Sequence, residues 1–271
     1  MISLITATFG RIAEIERLLQ SLSSQTFKDF ELIIVDQNEH HELEKIVSHY
    51  DCLNIKYIRS GIKGLSHNRN IGLKYVTGEL IGFPDDDCYY DSNLLEKVVD
   101  TFRQNIEYKL VAVAAKDPKT HQPFIMRNRA LLYRRHIYRF CISYNFFIRW
   151  NEAMSFDERL GVGAMYGSGE ETDFIWEFFD KNDKGCFVSD SFVWHPSNST
   201  NTDIQRAYKY GLGFGAIFKK EIFKRKKILT LLIFVYYLCR TVGGILFTNI
   251  RKVYISTLKG RIKGFLSFEN D

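Results

Sequence analysis

Cysteine is sparse and unpatterned: five in 271 residues, at Cys52, Cys88, Cys141, Cys186 and Cys239, with no C-x-x-C pair. An odd, scattered set argues against a disulfide framework and a structural zinc site, and fits a reducing cytosol. Proline is as scarce, at four, and no segment has the polar, low-complexity composition of a disordered tail, so the chain is expected to fold nearly throughout. The opening MISLITATFGR lacks the basic start and small-residue cleavage site of a secretory signal and reads as a buried first strand. There is no internal repeat. Acidic and basic residues are unevenly shared: the net charge is +5, but residues 201–271 hold 14 Lys/Arg against 4 Asp/Glu, and residues 1–200 hold 23 against 28. The basic character belongs to the tail.

What is present is alternation. Residues 2–8 form an apolar, strand-like run, Ile12, Ile15, Leu18, Leu19 and Leu22 recur at helical spacing, and FELIIV (30–35) is a second strand ending at Asp36. A third strand is expected at 55–58, a helix capped by Ser66 at 66–76, and a fourth strand at 80–83 running into Pro84, Asp85, Asp86 and Asp87. Strand, helix, strand repeated in this way predicts βαβ units and a mostly parallel sheet. Ligands of such sheets sit outside the carboxyl ends of the strands, where Asp36 and Asp85–Asp87 fall. Further on, strands are expected at 110–115 and 187–194 and a helix at 173–179.

Successive carboxylates repel one another unless a cation joins them, and a hard divalent ion with oxygen ligands does so. The bland alternative is an acidic turn before the next helix, with Asp91 or Ser92 as cap. Upstream, GLSHNRNIGL (64–73) places Arg69 in the first turns of a helix, where a phosphate would be held. EETD (170–173) follows a glycine-rich loop, 161–169, and leads into an apparent helix. Acids there also suit the helix dipole alone.

Taken in order, an opening strand with Thr6, Thr8 and Arg11, then FELIIVDQ, GLSHNRNIGL, IGFPDDDC, GSGEETDF and WHP, resemble family 2 glycosyltransferases of the GT-A fold, particularly those building bacterial surface polysaccharides. The resemblance covers roughly residues 1–200. It implies an α/β, Rossmann-like catalytic domain over 1–203, a mostly parallel sheet flanked by helices, and a nucleotide-sugar donor, most simply a UDP-sugar. Thr6, Thr8, Arg11, Asp36, Arg69, Asp85 and Asp86 would bind that donor. Asp85 and Asp87, with His195, would hold Mn²⁺ or Mg²⁺. Glu171, or Glu170 in its place, would be the base of an inverting transfer, and Tyr166, Asp173 and Trp194 would meet the acceptor. Tyr166 and Trp194 read equally well as core aromatics. The chain departs from the family's common opening in having Ala7 where proline is frequent.

Residues 204–271 are expected to form amphipathic helices at a membrane surface. Lys219, Lys220, Lys224, Arg225, Lys226 and Lys227 precede an apolar stretch at 228–239, shorter than the roughly 20 residues of a spanning helix. Extending it to 250 puts Arg240 near the middle, at about 2.5–3.5 kcal/mol. An interfacial helix on the cytoplasmic face is therefore preferred to a single span. A second amphipathic element is expected at 251–268. With Arg127, Arg129, Arg134, Arg135 and Arg139, this charge suits a polyprenyl-diphosphate-linked saccharide acceptor, and no nucleic-acid motif accompanies it. The rival readings are a sugar-phosphate nucleotidyltransferase, which would carry a glycine- and lysine-rich loop after the first strand, and a noncatalytic membrane adaptor of the same fold.

Overall fold

The structure, a computed structural model, describes residues 1–197 and 203–270. In chain order it contains β1 (Ile2–Thr8), α1 (Ile12–Ser23), β2 (Phe30–Asp36), α2 (Glu42–Val47), β3 (Ile55–Arg59), α3 (Leu65–Leu73), β4 (Leu80–Gly82), β5 (Tyr89–Tyr90) and α4 (Leu94–Gln104). There follow β6 (Tyr108–Lys116), β7 (Ala130–Leu132), α5 (Ile137–Phe140), β8 (Phe146–Arg149), α6 (Glu170–Phe178), β9 (Lys184–Trp194), α7 (Ile204–Lys219), α8 (Thr230–Phe247) and α9 (Arg251–Ser267).

Two compact units emerge. Residues 1–63, 67–155 and 174–197 make the first, and the remaining described residues, 64–66, 156–173 and 203–270, make the second. The division differs from the expected boundary at 203: residues 156–173, with both glutamates of the EETD motif, group with the C-terminal helices. The reason is buried chemistry. Lys220 is bonded to Asp157 and Asp173, and Tyr166 packs edge-on against Phe268.

In the first unit the sheet runs β3-β2-β1-β4-β8-β6-β9-β5, with β7 on β9. The first four strands are parallel, as the βαβ reading required, and β8 pairs antiparallel with both β4 and β6. All seven residues of β2 are buried, which is why it reads as a continuous apolar run rather than an alternating one. Ile15, Leu18, Leu19 and Leu22 of α1 are fully buried in the same core, each contributing about 1.5–3 kcal/mol. Chain order turns at β1: β2 and β3 lie to one side and β4 to the other. The mouth between β1 and β4 is thus the switch point at which such sheets bind ligands.

Two expected caps are corrected. Ser66 lies inside α3 and donates to the Leu160 carbonyl. Neither Asp91 nor Ser92 caps α4, whose N-cap is Asn93; Asp91 instead accepts from Phe192 N and Trp194 Nε1.

In the second unit α7 and α9 pack backbone to backbone. A Cβ on Gly264 would fall 2.0 Å from the Leu212 carbonyl, and one on Gly215 2.1 Å from that of Arg261, so only glycine permits the approach. The basic tail is also less free than its composition implies. Arg261 lies over Phe214 and donates to the Tyr237 carbonyl, while Lys220 and Arg225 are consumed in internal ion pairs.

Candidate active site

The β1–β4 switch point is stitched by side chains that the sequence motifs had singled out. Thr6 Oγ1 donates to the Pro84 carbonyl at 3.0 Å and Thr8 Oγ1 to Asp86 Oδ2 at 2.8 Å. Arg11, leaving β1, pairs with Asp86 Oδ1 at 3.0 Å and with Asp87. Burial pushes the Asp86 carboxyl up to about 6, against the charge of Arg11 and the Thr8 hydroxyl. Burial works the same way on Asp87, but the His195 ring and the Arg11 guanidinium outweigh it and hold that carboxyl below its ordinary range.

Asp85, Asp87 and His195 each offer a ligand atom, all within 4.8 Å of one another. His195 Nε2 stands 3.2 Å from Asp87 Oδ1 and 3.9 Å from Asp85 Oδ2. Asp87 Oδ1 is buried and faces the His195 ring nitrogen, so a cation set between them would be ligated by both. Two carboxylates and an imidazole are a fitting donor set for Mn²⁺ or Mg²⁺ completed by phosphate oxygens. His195 follows β9, its backbone N–H bonded to the Lys116 carbonyl at 3.0 Å, so a strand end rather than a free loop aims its ring.

Other expected donor-site residues are present but already engaged. Asp36 is fully buried; its Oδ1 accepts from Asn38 N and Nδ2, and its Oδ2 from the Tyr57 hydroxyl. Burial, and then that hydrogen bond, push the Tyr57 hydroxyl up. Arg69, expected on the nucleotide, is buried against Asp85 Oδ1 at 2.9 Å and over the Phe83 ring, which makes it a positioning group for the carboxylate. Trp194 is half-buried, stacked on Tyr89 and tied to Asp91, leaving part of its surface open.

Sequence reasoning missed Ser143 and Tyr144. Ser143 donates to Asp85 Oδ1 at 3.1 Å, and the Tyr144 ring stacks on His195 with centroids 4.2 Å apart. No motif marks them. They lie in a single 3-10 turn, Ser143–Asn145, 58 positions from Asp85 and 51 from His195, and only the sheet brings them in.

In the second unit, Glu170 and Glu171 open α6, Glu170 buried and Glu171 half-buried. The preceding loop needs glycine at Gly161 and Gly169, whose φ values are +100° and +90°. Two acceptor-site expectations are corrected here. Tyr166 is buried against Phe268, its hydroxyl 3.3 Å from Ser267 Oγ, so it fills core. Asp173 is buried with both oxygens taken, Oδ2 by Lys220 at 2.8 Å and Oδ1 by Arg225 at 2.8 Å. It braces α6 rather than facing a ligand.

Lys220 also reaches Asp157 Oδ2 at 2.9 Å. Burial alone would raise Asp157, but Arg159 and Lys220 hold it well below the usual carboxylate range. A depressed carboxylate contributes stability that is complete above its unfolded pKa and lost as pH falls through the folded one. Lys220→Met, which leaves the buried Asp173 with Arg225 and the half-buried Asp157 with Arg159, is expected to cost about 1–3 kcal/mol near neutrality, the scale of a lost partner on a buried acceptor. Thermal unfolding followed from pH 7 to pH 3 should show the mutant and wild-type curves converging as the medium becomes acid; parallel curves would refute the assignment.

A parallel-sheet switch point that carries an Asp–Asp–His cluster beside two arginines defines the class: the GT-A architecture of nucleotide-sugar-dependent glycosyltransferases. The family model Glycosyl transferase family 2 matches residues 3–159, more than half of the chain, and the chain belongs to that family. The GalNAc(5)-diNAcBac-PP-undecaprenol β-1,3-glucosyltransferase of Campylobacter jejuni is 33% identical over 107 residues, 38% of this chain and 33% of that protein. The chain spans less than half the length of the curated relatives it matches. Among solved structures, Staphylococcus aureus TarS 1–349 in complex with UDP-GlcNAc aligns over 97% of this chain and 81% of that one, with a TM-score of 0.69 at 20% identity. The mannosyltransferase PcManGT of Pyrobaculum calidifontis, in complex with GDP-Man and Mn²⁺, aligns over 99% and 88%, with a TM-score of 0.67 at 12% identity. These two likenesses establish the fold.

Proposed function

We propose that the chain is a metal-dependent, inverting glycosyltransferase that moves one sugar from a nucleotide-sugar, most simply a UDP-sugar, to a lipid-linked saccharide in surface-polysaccharide synthesis (capsule, O-antigen or exopolysaccharide). The observation that carries the reading is the Asp85–Asp87–His195 cluster, in which a buried Asp87 oxygen faces the His195 ring nitrogen, at the switch point of the sheet. A divalent cation held there would act as a Lewis acid on the leaving diphosphate. Arg11 and Arg69 set the carboxylates in place, and Glu171 would take the proton from the acceptor hydroxyl as it attacks the anomeric carbon. No covalent sugar–enzyme intermediate is needed. The UDP-GlcNAc complex of TarS and the undecaprenol-linked substrate in the Campylobacter relative's name support the choice of donor and acceptor.

A lipid-linked acceptor would put the reaction at a membrane surface, and we set it on the cytoplasmic face. In its support, α8 is long and apolar enough to cross a membrane, and only 17% of that stretch is buried. Leu232, Tyr236, Leu246 and Phe247 are 59–85% exposed, and Lys224 and Lys226 beside the helix face solvent, an arrangement suited to anionic headgroups. The chain should float with vesicles containing phosphatidylglycerol, and Leu232→Asp with Phe247→Asp should abolish flotation without unfolding the protein. Flotation unchanged in that double variant would count against the membrane face.

Transfer is tested by following radiolabel from UDP-sugars into the organic-extractable lipid fraction, with Mn²⁺ and with EDTA. Metal-dependent labelling of the lipid supports the reading. Release of inorganic pyrophosphate from a nucleoside triphosphate and sugar phosphate would replace it with nucleotidyl transfer.

A further inference from the structure

The basic stretch between β6 and β8 resolves into arginines with separate fates. Arg134 is structural: it donates to the Trp176 and Phe179 carbonyls at the end of α6, where a cation offsets the helix dipole. Arg129 neighbours the Cys186 thiol. Arg127, Arg135 and Arg139 are exposed, and among the described residues no carboxylate forms an ion pair with any of them. They nonetheless converge. Arg127 and Arg139 flank one ring, their guanidiniums 5.2 and 5.7 Å from the centroid of Phe140. The His136 ring lies 6.1 Å from that of Phe140. Arg135 lies over the Tyr133 ring, 5.0 Å from its centroid, and that ring stands 5.9 Å from His136; burial, and then the charges of Arg135, Arg127 and Arg139, push His136 below its usual range.

The segment is joined to the catalytic cluster at both ends. Phe124, three residues before Arg127, meets His195 edge-on at 6.5 Å, and Tyr144, five residues after Arg139, stacks on the same ring at 4.2 Å. Three like charges held together without counter-ions repel one another, a cost that an ordinary solvated surface avoids by mixing signs. A ligand with two adjacent phosphates would offset it, since guanidinium forks match phosphate oxygens bidentately.

We propose that Arg127, Arg135 and Arg139 form a diphosphate-binding site for the acceptor, separate from the cation site that receives the donor. The site binds the phosphates joining the saccharide to its lipid and so presents the sugar hydroxyl beside His195. This inference rests on the transferase reading for its biological ligand, but its chemistry is testable without turnover.

The probe is decyl diphosphate, titrated calorimetrically into the full chain in EDTA, where the acidic cluster has no cation to attract phosphate. The wild type should bind it, and Arg127→Ala/Arg135→Ala/Arg139→Ala should weaken binding by roughly a hundredfold or more, as expected for lost charge-assisted hydrogen bonds. All three side chains are exposed, so the variant should keep the wild-type melting temperature. With a diphosphate-linked acceptor the variant's acceptor KM should rise while its donor KM stays fixed, and the rise should vanish with an octyl glycoside of the same sugar. Equal affinity of variant and wild type for decyl diphosphate overturns the proposal. So does a variant that keeps decyl diphosphate but loses phosphatidylglycerol vesicles, because the arginines would then serve headgroups. Arginine-dependent binding in a chain that transfers from no donor would uphold the phosphate site and sink the transferase reading.

Discussion

Asp87→Ala is expected to abolish sugar transfer, with kcat/KM falling on the order of a thousandfold or more, the scale of a lost Lewis-acid contribution of several kcal/mol. Asp87 is central to the cluster: one oxygen faces His195 and the other is taken by Arg11. Removing it leaves Asp85 and His195, whose nearest ligand atoms are 3.9 Å apart, and releases Arg11 to Asp86 alone. Calorimetry with Mn²⁺ should therefore show metal affinity lost, and donor affinity no longer responsive to Mn²⁺. Undiminished Mn²⁺ binding by a folded Asp87→Ala protein would remove Asp87 from the metal site.

The second large effect is expected at Glu171→Gln, an isosteric change that deletes only the proton acceptor. General-base catalysis contributes about 10²–10⁴-fold, so kcat should fall by that amount while Mn²⁺ and donor affinities stay at wild-type values. Glu171 is half-buried at the start of α6 and Glu170 buried beside it, and a base has to reach an acceptor. Glu170→Gln should accordingly cost stability more than turnover. Full activity in Glu171→Gln together with a dead Glu170→Gln would transfer the role to Glu170.

Local pattern announced the parallel half of the sheet. β1, β2 and α1 follow from runs of β-branched residues and the spacing of Ile15, Leu18, Leu19 and Leu22, all of which pack locally. The acidic cluster was legible for the same reason, since three adjacent carboxylates at a strand end need no tertiary information to look like a cation site. The partners of that cluster were not. Ser143 and Tyr144 reach Asp85 and His195 only because β8 inserts antiparallel between β4 and β6, a crossing that no short window of sequence encodes. Tyr166 and Asp173 misled in the opposite sense: their chemistry suits a sugar, but Phe268 and Lys220, far along the chain, claim them for the interior. The tail shows the same limit. Counting charge assigned Lys220 and Arg225 to the membrane, whereas the buried Asp173 engages both.

Nucleoside diphosphate release from a panel of UDP-, GDP- and dTDP-sugars, by the folded chain with a polyprenyl-diphosphate saccharide and either Mn²⁺ or EDTA, tests the central claim most directly. One diphosphate should appear with Mn²⁺, vanish with EDTA and return when metal is restored. Equal release with and without metal would contradict the role given to Asp85, Asp87 and His195, and no release from any donor would contradict the transferase itself.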